Sequence, residues 1–211
     1  MGKNLDAKCK QCRRVGEKLF LKGERCSSPK CAMVKRNYPP GPHGPKGRKR
    51  SSDYGLQLNE KQKARKFYGL NESQFKISFS KVQKKGGDVG NNFLRFLEMR
   101  LDNVVYRAGL ASSRVQARQL VNHGHFTVND RKVNIPSYQV KIGQIIKVKK
   151  SSKENRQFKN LPEKLKTMLS DQKSWLATDS KDLSVKVLHE PRPQDLPLNI
   201  KTHMIIEFYS K

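Results

Sequence analysis

Residues 101–140 read LDNVVYRAGLASSRVQARQLVNHGHFTVNDRKVNIPSYQV, two helix patterns followed by a hairpin pattern. Leu101, Val104, Val105 and Ala108 continue a stripe begun at Leu94 and Leu97. That spacing predicts an amphipathic helix from about Asn91 to Ala108 with one buried face, and Arg95 and Arg107 off it. Ser113-Arg114-Val115-Gln116 is a capping box, in which the Ser hydroxyl caps the helix and the Gln side chain reaches back. The helix it opens should run to about Asn122, with Ala117, Leu120 and Val121 inward and Arg118, Gln119 and Asn122 outward. Arg114 stands in its first turn, where unpaired N–H groups and the helix dipole also favour a phosphate. His123-Gly124 breaks the helix. Phe126-Thr127-Val128 then alternates as a strand, Asn129-Asp130 suits a tight turn, and Lys132-Val133-Asn134 returns as the partner. Ile145-Ile146-Lys147-Val148-Lys149 reads as a further strand. The result is two helices beside a small, bent, largely antiparallel sheet. A protruding helix with a basic N-terminus reads the shape of a folded polyribonucleotide more than its sequence.

Before this stretch, Asn59 with Gln62 looks like a helix start and Gly69 like its stop, with basic side chains dominating the exposed face. Asn71 with Gln74 repeats the start signal. Phe75, Phe79 and Val82 then recur at helical spacing before Gly86-Gly87, a strand over Lys76–Val82 being the alternative. Further back, residues 38–50 read YPPGPHGPKGRKR, whose prolines and glycines exclude a regular helix or central strand. This segment is expected to be extended, either a charged linker or an arm that becomes ordered along phosphates. After the central stretch, Pro162 opens a helix holding Leu165, Met168 and Leu169. Trp175-Leu176 reads as a core anchor and Leu183–Val187 as a strand. Ile200, Met204, Ile205 and Phe208 share the face of a last helix.

Charge sets the class of partner. The chain has 211 residues, with 45 Lys and Arg against 18 Asp and Glu, a net charge of +27. That excess selects polyanions, of which nucleic acid is the commonest. Residues 1–50 hold 15 basic and 3 acidic side chains, and residues 151–211 hold 11 and 8. The polyanion footprint therefore belongs to the earlier part, and the tail to packing or protein contacts. No stretch is apolar enough to span a bilayer, and MGKNLDAKCK has no apolar signal core, which points to a reducing compartment.

All four cysteines stand near the start: Cys9, Cys12, Cys26 and Cys31. Two close pairs on separate turns suit a tetrahedral ion, and four thiolates suit one structural zinc with no open position for catalysis. Lys8, Lys10, Arg13, Arg14 and Lys30 would offset the site's negative charge and lower the thiol pKa values. Two disulfides in an oxidising compartment and an iron–sulfur cluster are the alternatives.

The run 101–140 resembles the RNA-binding module of the family of the fourth protein of the small ribosomal subunit. YPPGPHG is similar to that family's proline-rich arm, SDYGLQLNEKQKARKFYG to its first helix, and PRPQDLPLNIKTHMIIEFYSK to its C-terminus. The resemblance covers nearly the whole chain in order, including the cysteine cluster of many bacterial members. Pro42 departs from it, standing where the family usually has Gln. The resemblance implies an α+β fold. Residues 1–45 would form a zinc knuckle and basic arm. Residues 46–98 with 190–211 would form a helical domain closed by the last helix, and residues 99–189 an inserted RNA-binding domain with its core at 99–150.

In function, the resemblance implies a structural constituent of the small subunit that binds 16S-type rRNA at a junction of helices. It further implies nucleation of the subunit body, contacts with small-subunit proteins five and twelve, and an influence on decoding accuracy. The place implied is the cytoplasmic ribosome of a bacterium, an organellar ribosome being the alternative. The side chains expected to touch RNA are Arg48, Lys49, Arg50, Lys61, Arg65, Lys66, Arg107, Arg114, Arg118, Gln119 and His123. Affinity should come chiefly from phosphate neutralisation, falling by roughly three to five decades between about 50 and 200 mM salt for about six to ten phosphates. The same module is appended to pseudouridine synthases and tyrosyl-tRNA synthetases. Here no block is long enough for a catalytic domain, and no catalytic constellation or Gly-rich phosphate loop appears, so no enzyme and no small-molecule substrate are expected. A zinc-bearing DNA-binding regulator lacks support from a histidine-containing finger or a heptad.

Overall fold

The computed structural model describes residues 6–47, 50–167 and 174–210. In chain order the helices are α1 (Lys8–Val15), α2 (Ala32–Lys35), α3 (Asp53–Phe67), α4 (Glu72–Gln83), α5 (Val89–Glu98), α6 (Leu101–Arg107), α7 (Arg114–Asn122), α8 (Arg156–Lys159), α9 (Leu161–Thr167) and α10 (Thr202–Tyr209). The strands are β1 (Phe126–Val128), β2 (Arg131–Lys132), β3 (Ile145–Val148), β4 (Leu176–Asp179) and β5 (Ser184–Val187). Among the described residues no helix is long and apolar enough to cross a membrane. The chain divides into two compact units, Met1–Phe93 with Pro197–Lys211, and Leu94–Leu196.

In the first unit, α3 starts earlier than the Asn59 signal suggests. The Ser52 hydroxyl accepts the Gly55 N–H at 3.3 Å and Asp53 lies in the first turn, so cap and dipole both favour a start at Asp53. Helix α10 holds these early turns: Gln57 donates to Glu207 at 2.8 Å, and the Tyr54 and Phe208 rings lie 5.7 Å apart. Gly69, at φ 66°, ends α3 as the sequence suggests, with the Leu70 N–H donating back to the Arg65 carbonyl. The capping box of Asn71 and Gln74 opens α4 as a helix, which sets aside the strand alternative. Phe75, Phe79 and Val82 are buried by it. Phe93 meets Phe75 and Phe79 edge-on, and Tyr209 of α10 stacks on Phe79 at 4.7 Å.

The proline-rich segment is folded rather than extended. Residues Gly44–Lys46 form a 3-10 turn, and Arg13 donates to the carbonyls of Tyr38 and Pro39 while lying over the Tyr38 ring at 4.7 Å. The turn is so tight that a Cβ on Gly44 would sit 2.0 Å from the Pro39 carbonyl oxygen.

The second unit is built on the decisive stretch. The stripe from Leu94 to Ala108 is buried, but it belongs to two helices and not one. Arg100 turns extended and bridges to Gln139, the Val140 N–H donates to the Met99 carbonyl, and the Leu101 N–H donates to the Tyr138 carbonyl. These contacts with the chain beyond the hairpin outweigh one continued helical turn. The hairpin forms at Asn129-Asp130, both at positive φ as a type I′ turn requires, pairing Thr127 with Lys132 and Val128 with Arg131. The sheet is antiparallel in the order β2-β1-β3-β5-β4. Its last two strands come from the tail; β5 follows the alternation at 183–187, whereas β4 had no clear signal. Trp175, Phe126, Phe158, Ile146 and Leu101 are fully buried in one core with Leu165. Met168 and Leu169, expected on the same helix face, lie outside the described residues.

Candidate nucleic-acid interface

Helix α3 does not present its basic residues as one exposed face. Lys61 is 5% exposed, its ammonium 2.6 Å from Glu72 and 4.6 Å above the Phe208 ring. Lys63 is also buried, donating to Glu17 at 2.9 Å and to the Asn199 carbonyl. Burial of these ammoniums requires such partners, and both lysines fasten α3 to neighbouring segments. Arg65 pairs loosely with Glu72 at 3.4 Å. Lys66 is half-buried, and burial, then Arg14, then Arg65 lower its pKa. Arg14 is exposed; the sequence places it beside the cysteine cluster as an offsetting charge and not among the RNA contacts. The like charges of Arg14 and Arg65 that disfavour the Lys66 ammonium are what an arriving phosphate would offset.

In the second unit the expected contacts separate into inner and outer sets. Ser113 caps α7 by accepting the Gln116 N–H at 3.3 Å. The Gln116 side chain reaches back one residue further than a standard box, accepting the Ser112 N–H at 2.8 Å and hydroxyl at 2.6 Å. Arg114 does not stand on the surface at this helix start. It is 7% exposed, lies 4.5 Å over the Tyr106 ring and donates through Nε to Asn103 at 2.8 Å. Arg107 grips Glu98 with two bonds of 2.8 and 2.7 Å, and Asn103 donates to the same carboxylate at 2.6 Å. Burial opposes the charge on Glu98, but the Arg107 guanidinium prevails, with Arg114 and Asn103, and holds its pKa below the ordinary carboxyl value. Arg100 pairs with Asp102 at 2.8 Å, and Arg118 lies 3.7 Å from the same carboxylate. Arg107, which lies off the apolar stripe, thus belongs to a buried charge network that apolar periodicity does not reveal, with Glu98 of α5 and Asp102 of α6 as its carboxylates.

Gln119 and His123 are exposed along α7, as is Arg50 before α3, while Arg107 and Arg118 are half-buried. Arg48 and Lys49 lie outside the described residues. Gln119 and His123 border a cleft of about 370 Å³ whose opposite side is formed by Asn155, Arg156 and Gln157. These three carried no signal in the sequence, because only folding brings α8 beside α7.

The four cysteine thiols are free, with Cys12, Cys26 and Cys31 buried and Cys9 half-buried. Burial chiefly, and the charges of Cys26, Cys9 and Cys31, raise the Cys12 pKa against a lowering bond from the Leu19 backbone. The nearby cations therefore do not dominate it as the sequence suggests. The Lys22 N–H donates to the Cys26 sulfur at 3.3 Å. Four thiols are the donor set zinc prefers. Among the described residues, however, no group of three or more His, Cys, Asp or Glu side chains is arranged to hold a metal.

A small helix-and-sheet module with exposed polar side chains on its second helix, carried in a chain of charge +27, defines an RNA-binding protein. Residues 99–146 match the S4 domain, and residues 3–98 match the Ribosomal protein S4/S9 N-terminal domain. The chain is 52% identical to small ribosomal subunit protein uS4 of Clostridioides difficile and 53% identical to uS4A of Alkaliphilus metalliredigens. It is 49% identical to uS4 of Syntrophomonas wolfei, and all three similarities cover the whole of both chains. The chain belongs to the small ribosomal subunit protein uS4 family.

Proposed function

We propose that this chain is a structural constituent of the small ribosomal subunit, not an enzyme, and that it binds the subunit's rRNA directly. It would work in the cytoplasmic ribosome of a bacterium. The observation that carries this reading is full-length identity of about half to proteins named as small-subunit components. The charge of +27 and the module at 99–146 supply the chemistry. Arg50 and the group of Arg14, Arg65 and Lys66 neutralise phosphates, and the exposed stripe of α7 meets the RNA surface. Arg107, Arg114 and Arg118 act chiefly by holding α5, α6 and α7 in register beneath that surface. Nucleation of the subunit body, contacts with small-subunit proteins five and twelve, and an influence on decoding accuracy belong to the same reading.

Residues 1–45 are proposed as the knuckle and arm, with Cys9, Cys12, Cys26 and Cys31 as ligands of one structural zinc. The thiol set and the N–H donation to the Cys26 sulfur support it. The bound ion would order a segment too poor in apolar residues to fold alone.

Footprinting of the purified chain on small-subunit rRNA, with duplex DNA as competitor, tests the RNA reading. The expected result is a localised footprint that DNA does not displace and an affinity that falls steeply with salt. Salt-independent binding, or equal displacement by DNA, would overturn it. Metal analysis should find one zinc per chain; its absence would defeat the metal reading alone.

A further inference from the structure

We propose that the cleft between α7 and the start of α8 receives one unpaired, splayed-out nucleobase of the bound RNA, with adenine the best match. This inference rests on the ribosomal-RNA reading above and gives one part of that contact a chemical identity. The cleft, at about 370 Å³, lies in the range of roughly 300–1,000 Å³ typical of sites for small groups. Gln116, Gln119 and His123 recur at positions i, i+3 and i+7 of α7, so they line one side of it. Only part of the cleft comes from the S4-matched residues 99–146; the facing wall at 155–157 lies beyond that match.

The lining is the wrong chemistry for a plain phosphate site and the right one for a base. It has one guanidinium, that of Arg156, no lysine and no carboxylate. Its remaining polar groups are amides and imidazoles. An amide offers a donor beside an acceptor, the complement of the N6/N1 edge of an unpaired adenine, the edge at which dimethyl sulfate reacts. The Gln116 carbonyl oxygen is occupied by Ser112, which leaves its amide nitrogen to donate. Gln119 and Gln157 are exposed, and both amides can turn toward a ligand. Flat rings complete the site. His125 is held in place, with Nδ1 2.9 Å from the Ser152 hydroxyl and its ring edge-on to Phe158 at 5.9 Å. Burial, His123 and Lys149 lower its pKa, which favours a neutral imidazole. His123 lies 6.1 Å from it and is open to solvent. Unpaired RNA bases are recognised by this combination of stacking on flat side chains and hydrogen bonding at the base edge, with an arginine free to meet the attached phosphate.

The test compares the intact chain with a Gln119→Ala/Gln157→Ala double variant on small-subunit rRNA. Dimethyl sulfate reports the base edges, and hydroxyl radicals report the backbone. The intact chain should shield one unpaired nucleotide from dimethyl sulfate. The double variant should lose that protection, keep the backbone footprint and salt slope, and bind roughly tenfold more weakly. His123→Phe, which keeps a flat ring, should retain the protection, whereas His123→Ala should weaken it. Matching thermal melts of all variants, expected because the altered side chains are exposed, exclude misfolding as the cause. An identical dimethyl sulfate pattern for the intact chain and the double variant would overturn the inference while leaving the ribosomal reading intact. So would a shallower salt slope with loss of backbone protection, which marks a phosphate site. An intact chain with no rRNA footprint would sink the ribosomal reading, and this inference with it.

Discussion

Replacing Glu98 by Gln tests whether the polar network beneath α7 holds the second unit together. Glu98 is 1% exposed and receives two bonds from Arg107, whose side chain is 17% exposed. Gln keeps the volume and can still accept from Asn103, so the change removes mainly the charge. Removing one partner of a buried pair costs about 3–5 kcal/mol, because the other charge is left uncompensated. Arg107 retains some solvent, which places the expected loss near about 3 kcal/mol. For a chain of this size, at about 2–4 °C per kcal/mol, the Tm should fall by roughly 6–12 °C.

The pH dependence follows from the same contacts. The folded pKa of Glu98 lies below its ordinary value of 4.5. Its contribution is therefore present above that value and is lost as pH falls through the folded pKa. The gap between the wild type and Glu98→Gln should be full at neutral pH and shrink in acid. Urea and thermal unfolding followed by circular dichroism, at neutral pH and in steps below 4.5, measure both effects. Adding Arg107→Met to Glu98→Gln should recover most of the loss, since exchanging a buried pair for uncharged groups is often close to neutral. A loss under about 1 kcal/mol for Glu98→Gln, or a gap that does not change with pH, would refute the assignment of Glu98 as the buried anchor.

Arg114→Ala should lower stability by about 2 kcal/mol in the absence of RNA, through loss of the Tyr106 stacking and the Asn103 bond. An unchanged melt would return Arg114 to the surface. Arg50→Ala, at an exposed position, should leave the melt unchanged and make the salt dependence of rRNA binding shallower by about one phosphate contact; binding isotherms at several salt concentrations check it. Lys63→Met strips the ammonium from Glu17, Glu60 and the Asn199 carbonyl. It should destabilise the first unit by about 2 kcal/mol, discounted because Glu17 is half-exposed, and chemical denaturation would show a lowered midpoint.

Signals spanning a few residues were legible from the sequence. The caps at Ser113 and Asn71, the turn at Asn129-Asp130, the stop at Gly69 and the apolar stripes all rest on hydrogen bonds or side-chain spacings within one or two turns of chain. Net charge, a sum over all residues, likewise indicates a polyanionic partner without any coordinates. What the sequence did not determine was the direction taken by long basic side chains. Lys61, Lys63 and Arg114 sit where a pattern of exposed charge suggests solvent, yet each turns inward and donates a hydrogen bond to a group 11 or more residues away. The same holds for the break between α5 and α6, imposed by residues 136–140, for β4, which pairs with β5, and for the cleft shared by α7 and α8. An ammonium or guanidinium enters a protein only if an anion, carbonyl or ring is already waiting there. That condition is met or missed by the tertiary fold, and no local window of residues contains it.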